Sequence, residues 1–492
     1  MLAVHPCSEG IAADVLVAGA GVAGLSCAAA LSDCGLRVVV LEARPHLGGR
    51  AASWNDPVTG DMVDIGPHVI TSEHRNFLAL LKRLGTEREV LWQRDPLITL
   101  LDAGQQLRMH PPNWLPPLHG LPNLRNALRC VSFSDLLSNV RVVWDAMRLN
   151  ETTTLALDGQ DALGYLRRQG VSERFIAWFW ASSILAVLNV PLARCSAASM
   201  MRIFRLMLGR SGYCFGFPRI ALADLYAPGC RRIIESAGGC VLTSTEVQEV
   251  LLATDGRFAG FALRDGCELR GRSGVLALSP QELARFRIRD THGNAELRSL
   301  IETASRFEPS RYLSTMLWFD RPLGSERFWA RVSAPGDLNT DFYDLSNIRA
   351  LSDGRAWIAS NAIHADRAWE WSDEEIIART RRELAEFCPP SADAIVRHAR
   401  VHRIPLAVPC AAPGTEAMRP GPWSGSDGLW VAGDWIATGL PFSMESAARS
   451  GAMTAESVAA AHGRVLKVVE PLPETEGIPA LFRRSTPRRL SR

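Results

Sequence analysis

The chain has 492 residues, 47% of them hydrophobic, and its 54 basic and 52 acidic side chains leave a formal net charge of +2. That length exceeds one compact core and predicts two domains, and the near-neutral balance argues against a nucleic-acid or strongly acidic partner. The 11 cysteines are odd in number, scattered and without a C-x-x-C, which predicts reduced, mostly buried thiols in a cytoplasmic protein, with no metal site expected. The opening MLAVHPCSEGIAAD has no basic region followed by an apolar run, so no secretory signal is expected there.

The apolar run Val15 to Ala18 predicts a buried parallel strand, and it ends in Gly19-Ala20-Gly21-Val22-Ala23-Gly24, a G-x-G-x-x-G turn that opens a helix. Gly19 permits the tight turn, Gly21 lets a phosphate approach the backbone, and Gly24 lets the helix pack on its strand. The helix start offers the N–H groups of Val22 and Ala23, with its positive dipole end, to a pyrophosphate. A second strand, Arg37 to Leu41, ends in Glu42, at the spacing where an acid accepts from adenosine ribose and disfavours a 2′-phosphate. Next, Ala43-Arg44-Pro45-His46-Leu47-Gly48-Gly49-Arg50 sets a glycine pair between two arginines, which suits a loop closing over the same pyrophosphate.

A hairpin is predicted over Ala51 to Asp64, followed by Asp64-Ile65-Gly66-Pro67-His68 and a helix from Glu73 to Gly85, where the chain leaves the nucleotide domain. Repeated prolines break the stretch from Pro111 to Pro122. Ser134 to Leu149 then predicts an amphipathic helix that either packs on the core or lies at a membrane interface, among Arg125, Arg129, Arg141 and Arg148. Helices are also predicted over Asp158 to Gly170 and Ala197 to Gly209. Phe175 to Ala193 is apolar enough to approach a bilayer core, but Asn189 and Pro191 favour a buried helix lining an apolar cavity.

Alternation of helix and strand returns with a helix over Leu225 to Ala237 and strands at Cys240 to Thr245, Val247 to Leu252, Phe258 to Leu263 and Gly274 to Leu278. Leu313 to Phe319 and Ala356 to Ser360 predict a second sheet, and Asp373 to Phe387 a charged surface helix. Gly428 to Trp435 delivers Gly433 and Asp434 at a strand end, before a closely packed helix over Pro441 to Ser457. A carboxylate out of water needs donors, and ribitol hydroxyls would supply them. The helix start near Met444 would stabilise negative charge on a reduced flavin ring. Residues 464–492 predict a disordered basic tail whose Arg483, Arg484, Arg488, Arg489 and Arg492 could meet an anionic membrane.

From Asp14 to about Ala461 these motifs resemble the flavin-dependent amine oxidase and carotenoid desaturase superfamily. Leu115-Pro116-Pro117-Leu118, Leu185 to Pro191, Phe217-Pro218-Arg219-Ile220 and Trp430 to Ser450 narrow the likeness to plant-type phytoene desaturases and bacterial squalene-associated desaturases, hydroxysqualene dehydroxylases included. Glu445-Ser446-Ala447 stands where such proteins commonly carry E-G-A. The resemblance implies an α/β fold: a Rossmann-like FAD-binding domain of the p-hydroxybenzoate hydroxylase/glutathione reductase type, from residues 14–75, 225–280 and 425–463, with an inserted α+β substrate domain from 76–224 and 281–424.

It implies FAD held by Gly19, Gly21, Val22, Ala23, Gly24, Glu42, Ala43, Arg44, Gly49, Arg50, Val247, Gly433, Asp434 and Met444, with Val247 meeting adenine through its backbone and Met444 near the flavin. The expected enzyme moves hydride between FAD and an allylic carbon of a long apolar isoprenoid of the phytoene, squalene or hydroxysqualene class, by desaturation or reductive dehydroxylation. It would be a peripheral membrane protein, with a quinone, oxygen or a separate reductase as its electron partner. His68 is the candidate acid or base near the flavin. A flavin amine oxidase, which needs a polar or aromatic cage, and a flavin-free prenyl-binding carrier are the alternatives.

Overall fold

The computed structural model describes residues 13–289, 294–332, 334 and 336–482. Its first sheet runs in the order Cys240–Leu242, Val38–Leu41, Ala13–Ala18, Glu268–Leu276, Phe258–Leu263, Val247–Leu252 and Arg287–Arg289, with Leu429–Val431 pairing alongside Glu268–Leu276. The long Glu268–Leu276 strand divides the sheet. Its second half is parallel to Ala13–Ala18 and Leu429–Val431, and its first half is antiparallel to Phe258–Leu263. The parallel strands Val38–Leu41 and Leu429–Val431 are apolar throughout because both faces are covered, as such strands require.

The Val22–Asp33 helix covers one face and is buried from Val22 to Ser32, wedged against the Ala227–Ser236 and Met444–Ala461 helices. Small residues make that approach possible: a Cβ on Gly451 would overlap Ser26 Oγ and the Ala23 carbonyl. The Arg75–Leu84 helix packs Phe77 and Leu81 into the same core. The Arg287–Arg289 strand pairs parallel to Val247–Leu252 at the sheet's edge.

A second sheet runs in the order Val396–Pro409, Pro309–Phe319, Ala356–Ala362, Asp341–Asp344, Phe328–Arg331, Ile98–Asp102 and Gln105–Met109. The Asp373–Phe387 helix covers one face with Leu384 and Phe387 on Leu317, Phe319 and Phe342. The opposite face carries Met316, Trp318, Trp357 and Tyr343 against Phe217, which belongs to a small sheet of Ile70–Thr71, Phe215–Pro218 and Val90–Gln93.

Four expectations need correction. Phe175 to Ala193 is not one helix: a π-helical turn over Ile176–Ala181 precedes Ser182–Leu188, and Asn189 ends it in the left-handed conformation at φ 62°. The π turn lets Phe175, Trp178, Phe179 and Trp180 stack on one another and on Phe204 instead of spreading around a cylinder. No helix among the described residues is long and apolar enough to cross a membrane. Ser134 to Leu149 is two helices, Phe133–Leu137 and Val140–Arg148, the first closed by a Ser132/Asp135 capping box.

Residues 464–482 are ordered, because side chains pin their backbone at intervals. Glu456 accepts from Val468 and Val469, Asn76 Oδ1 accepts from Glu470, and Glu476 meets Arg210 and Ser211. A helix over Gly477–Phe482 ends that strap, and the tail arginines from Arg483 onward lie outside the described residues. Nine described cysteines are free thiols, whereas Cys267 is disulfide-bonded, against the expectation of thiols throughout.

Candidate active site

The first glycine turn and the late aspartate stand at the same sheet edge. Ala18 and Val431 end strands that flank Leu276 on either side, and Ala277 and Ala432 continue those pairings through bonds to Ala18 O (2.8 Å) and Leu276 O (3.0 Å). Two strand spacings, roughly 10 Å, separate the turns. Gly19 sits at φ +104°, and a Cβ there would meet Ala277 O at 2.5 Å, so the fold itself demands glycine. A Cβ on Gly24 would overlap the Gly19 carbonyl.

Gly21 differs. Its φ of −79° suits any residue, and a Cβ there would meet nothing within 4 Å. The open space at Gly21 is a cradle at a helix start that no side chain caps and that has no acid in its first turn. A pyrophosphate fits that cradle.

Glu42, buried at the end of its strand, ties the turns together: Oε2 accepts from Ala20 N (2.8 Å) and Oε1 from Arg44 N (3.0 Å). Each oxygen keeps a lone pair for a ribose hydroxyl. Val247 begins its strand beside this acid, where Thr245 N donates to Glu42 O at 2.8 Å and Ser244 N to Arg44 O at 3.0 Å. Arg44 is exposed and reaches Gly49 O (3.4 Å), beside exposed Ala43. Tyr226 OH holds the second glycine turn from behind through Gly48 O (3.0 Å).

Arg50 grips Asp434 with both nitrogens, Nη2 to Oδ1 at 2.6 Å and Nη1 to Oδ2 at 3.0 Å. Ser450 Oγ accepts from Gly433 N (2.9 Å), and Met444 opens the Met444–Ala461 helix behind its cap, Ser443. Arg50 thus joins the second glycine turn to Asp434, while the Gly66–His68 segment lies over the second sheet by Asn361 and Ser314. His68 Nδ1 is 2.8 Å from Gly66 O, and burial lowers its pKa, which keeps the ring neutral.

Sequence reasoning missed the scaffold under Asp434. Arg419, 1% exposed, donates to Asp434 O (2.9 Å), Ile436 O (2.8 Å) and Leu440 O (2.7 Å), so one guanidinium shapes the loop that carries Asp434. Burial pushes its partner Glu416 up, but Arg419 and Arg202 outweigh it and hold the carboxyl down at about 2. Ser446 donates to Asp434 O at 2.8 Å, so the serine in Glu445-Ser446-Ala447 braces the same loop. Glu445 accepts from Asn76 N (3.0 Å) and Phe77 N (2.9 Å), capping the Arg75–Leu84 helix. An acid beside small residues in a late helix was the one visible signal; nothing local marks Arg419.

The model of flavin containing amine oxidoreductases matches residues 22–459. The 15-cis-phytoene desaturase of Solanum lycopersicum is 26% identical over 465 residues, covering 90% of this chain and 77% of that one. That of Synechococcus elongatus is 25% identical, covering 91% and 96%, and the hydroxysqualene dehydroxylase of Sinorhizobium fredii 24%, covering 90% and 97%. Among solved structures, cyclohexylamine oxidase from Brevibacterium oxydans IH-35A superposes with a TM-score of 0.67 at 21% identity, covering 92% of this chain and all of that one. Putrescine oxidase bound to putrescine gives 0.65 at 18% identity, covering 92% and 99%. The match of the family model over residues 22–459, with relatives that cover about nine-tenths of the chain, places it in the flavin containing amine oxidoreductase family as an FAD-dependent oxidoreductase.

Proposed function

We propose that the enzyme exchanges hydride between FAD and a long apolar isoprenoid of the phytoene, squalene or hydroxysqualene class, collected from a membrane surface. Bound FAD supplies the two-electron acceptor or donor; the protein's share is to bind and orient the substrate and exclude water. The site residues from Gly19 to Met444 are assigned to FAD. The observation that carries the reading is an exposed apolar face beside the substrate-side helices. Trp114 is 54% exposed, Phe133 63%, Val140 59% and Leu481 82%, far more than a soluble substrate requires.

Two stretches distant in sequence form this face together. Ile478 N donates to Pro116 O (3.1 Å), Gly477 packs on Leu115, and the rings of Phe482 and Trp144 lie 5.4 Å apart. Arg148 stacks over Trp144 at 5.3 Å, and Arg125, Arg129 and Arg141 lie in the same segment, as suits an anionic bilayer. Phytoene desaturase and hydroxysqualene dehydroxylase relatives that match 91% and 90% of this chain support the same substrate class.

The test incubates the holoenzyme with liposomes carrying phytoene, squalene or hydroxysqualene, with a quinone or a chemical reductant, and follows product mass. Turnover of at least one is expected. No product from any, together with oxidation of a diamine, would favour the amine oxidase reading instead.

A further inference from the structure

On the inner face of the second sheet, Arg400 and His398 beside Met316 and Trp318 are paired to Asp56, and a further polar row crosses at the next register. Ser314 lies opposite Asn361, Asn361 opposite Asp341, and His402 opposite Ser314, forming a polar row across four strands. The Asp64–His68 segment passes over this row. A Cβ on Gly66 would lie 3.4 Å from Asn361 Oδ1, and Ile65 O is 3.2 Å from His402 Nδ1. Arg50, assigned to FAD above, touches the His402 strand five residues further on, Nη1 lying 3.4 Å from Ala407 O.

Three members of the row have a backbone partner: His402 at Ile65 O, Asn361 at Pro67 O (3.4 Å) and Ser314 at Ser360 O (3.1 Å). Asp341 does not. One of its oxygens takes a long bond from Tyr343 OH (3.3 Å), and the other, Oδ1, is buried without a hydrogen-bond partner. A structural carboxyl in that position would be a liability that a small apolar side chain avoids. Among the described residues no cation relieves it. The titratable groups facing it are Tyr343 on its own strand and Tyr312 two strands away, beside Cys410, while Arg331 on the adjoining strand turns to Asp337, Glu386 and Phe387.

We propose that Asp341 is the acid–base group of the active site, its unpartnered Oδ1 taking a proton from the isoprenoid or giving one to it; this rests on the function proposed above. In desaturation, one C–H bond breaks with its electron pair going to FAD as hydride. The proton on the adjacent carbon moves to Asp341, and the electrons of that second C–H bond become the new C=C bond. In dehydroxylation, the allylic C–O bond breaks with its pair on oxygen, the oxygen takes the Asp341 proton and leaves as water, and hydride from reduced FAD fills the carbon. Burial pushes the Asp341 carboxyl up to about 7 against the pull of Tyr343 and Asn361. The sign of the pH dependence therefore separates the two directions. Proton removal needs the carboxylate and speeds up as pH rises through about 7, whereas protonation needs the acid and slows.

The experiment compares wild type and Asp341→Asn holoenzymes in anaerobic single turnovers with phytoene, squalene and hydroxysqualene from pH 5.5 to 8.5, the pH range bracketing the titration. The variant should keep its FAD content and melting temperature, lose roughly 10²–10⁴-fold in rate, and lose the pH limb. Infrared difference spectra across the same range should show in wild type a protonated-carboxyl band that Asp341→Asn lacks. An unchanged rate with an unchanged limb overturns the proposal, as does the absence of that band. Should Asp341→Asn fail to fold, Tyr343→Phe removes the donor to Asp341 and should move the limb to higher pH; an unmoved limb counts against the assignment. If wild type turns over no isoprenoid, the proposed function fails, and the carboxyl band alone decides whether Asp341 carries the titrating proton.

Discussion

Arg50 and Asp434, 384 positions apart, form a two-pronged ion pair at 2.6 and 3.0 Å within the site assigned to FAD. Asp434 is 3% exposed, and the Arg50 side chain is 29% exposed. The pair thus joins the loop after the second glycine turn to the strand end that closes the fold. Losing one partner strands a buried charge, although solvent at Arg50 moderates the cost. Asp434→Asn is expected to destabilise the apoprotein by about 2 kcal/mol and to lower FAD affinity at least tenfold, read by urea unfolding and flavin fluorescence titration. An apoprotein of unchanged stability would show that the pair does not bridge the two segments.

Gly19 and Gly21 make opposite predictions. Gly19→Ala forces a side chain into Ala277 O at a left-handed φ and should give little folded protein. Gly21→Ala meets no protein atom, so the apoprotein should be as stable as wild type or up to about 1 kcal/mol more stable, while FAD binding falls sharply. A Gly21→Ala variant that binds FAD like wild type would refute the cradle.

Glu416 lies between Arg419 and Arg202, nearly excluded from water. Glu416→Gln should cost about 3–5 kcal/mol, because buried Arg419 loses its counter-charge and Arg202 is left with Glu151 alone. The folded carboxyl sits at about 2, below its ordinary value of 4.5, so its contribution is complete above about 4.5 and is lost as pH falls toward 2. Melting curves of wild type and Glu416→Gln should accordingly converge on acidification; a gap constant down to pH 2 would contradict the ion pair.

The apolar face should bind vesicles. Phe133→Glu and Leu481→Glu are each expected to weaken co-sedimentation with anionic liposomes roughly tenfold, with neither changing FAD content. The arginines predict weaker binding at high salt. Wild-type binding by the double variant would remove this face from consideration.

Elements with a strong local period were legible in the sequence: the strands Val247–Leu252 and Phe258–Leu263 and the helix Asp373–Phe387 stand where apolar spacing and capping put them. The glycine turn, Glu42 and Asp434 were legible too, since each pairs an unusual residue with a strand end. What escaped depends on long-range packing. Stacking of Trp178, Phe179 and Trp180 overrides the straight helix their apolar run predicts. Side-chain pins at Glu456, Asn76 and Arg210 order a strap whose own composition reads as disorder. Asp341 joins Asn361 and Ser314 only through cross-strand register, which no local window contains.

The most direct measurement is rapid anaerobic mixing of the oxidised and the reduced holoenzyme with phytoene, squalene and hydroxysqualene, recording flavin absorbance and the mass of the single-turnover product. The account predicts that at least one isoprenoid changes the flavin redox state with a matching loss of two hydrogens or of a hydroxyl oxygen. A flavin unmoved by all three, yet bleached at once by putrescine or cyclohexylamine, would contradict it.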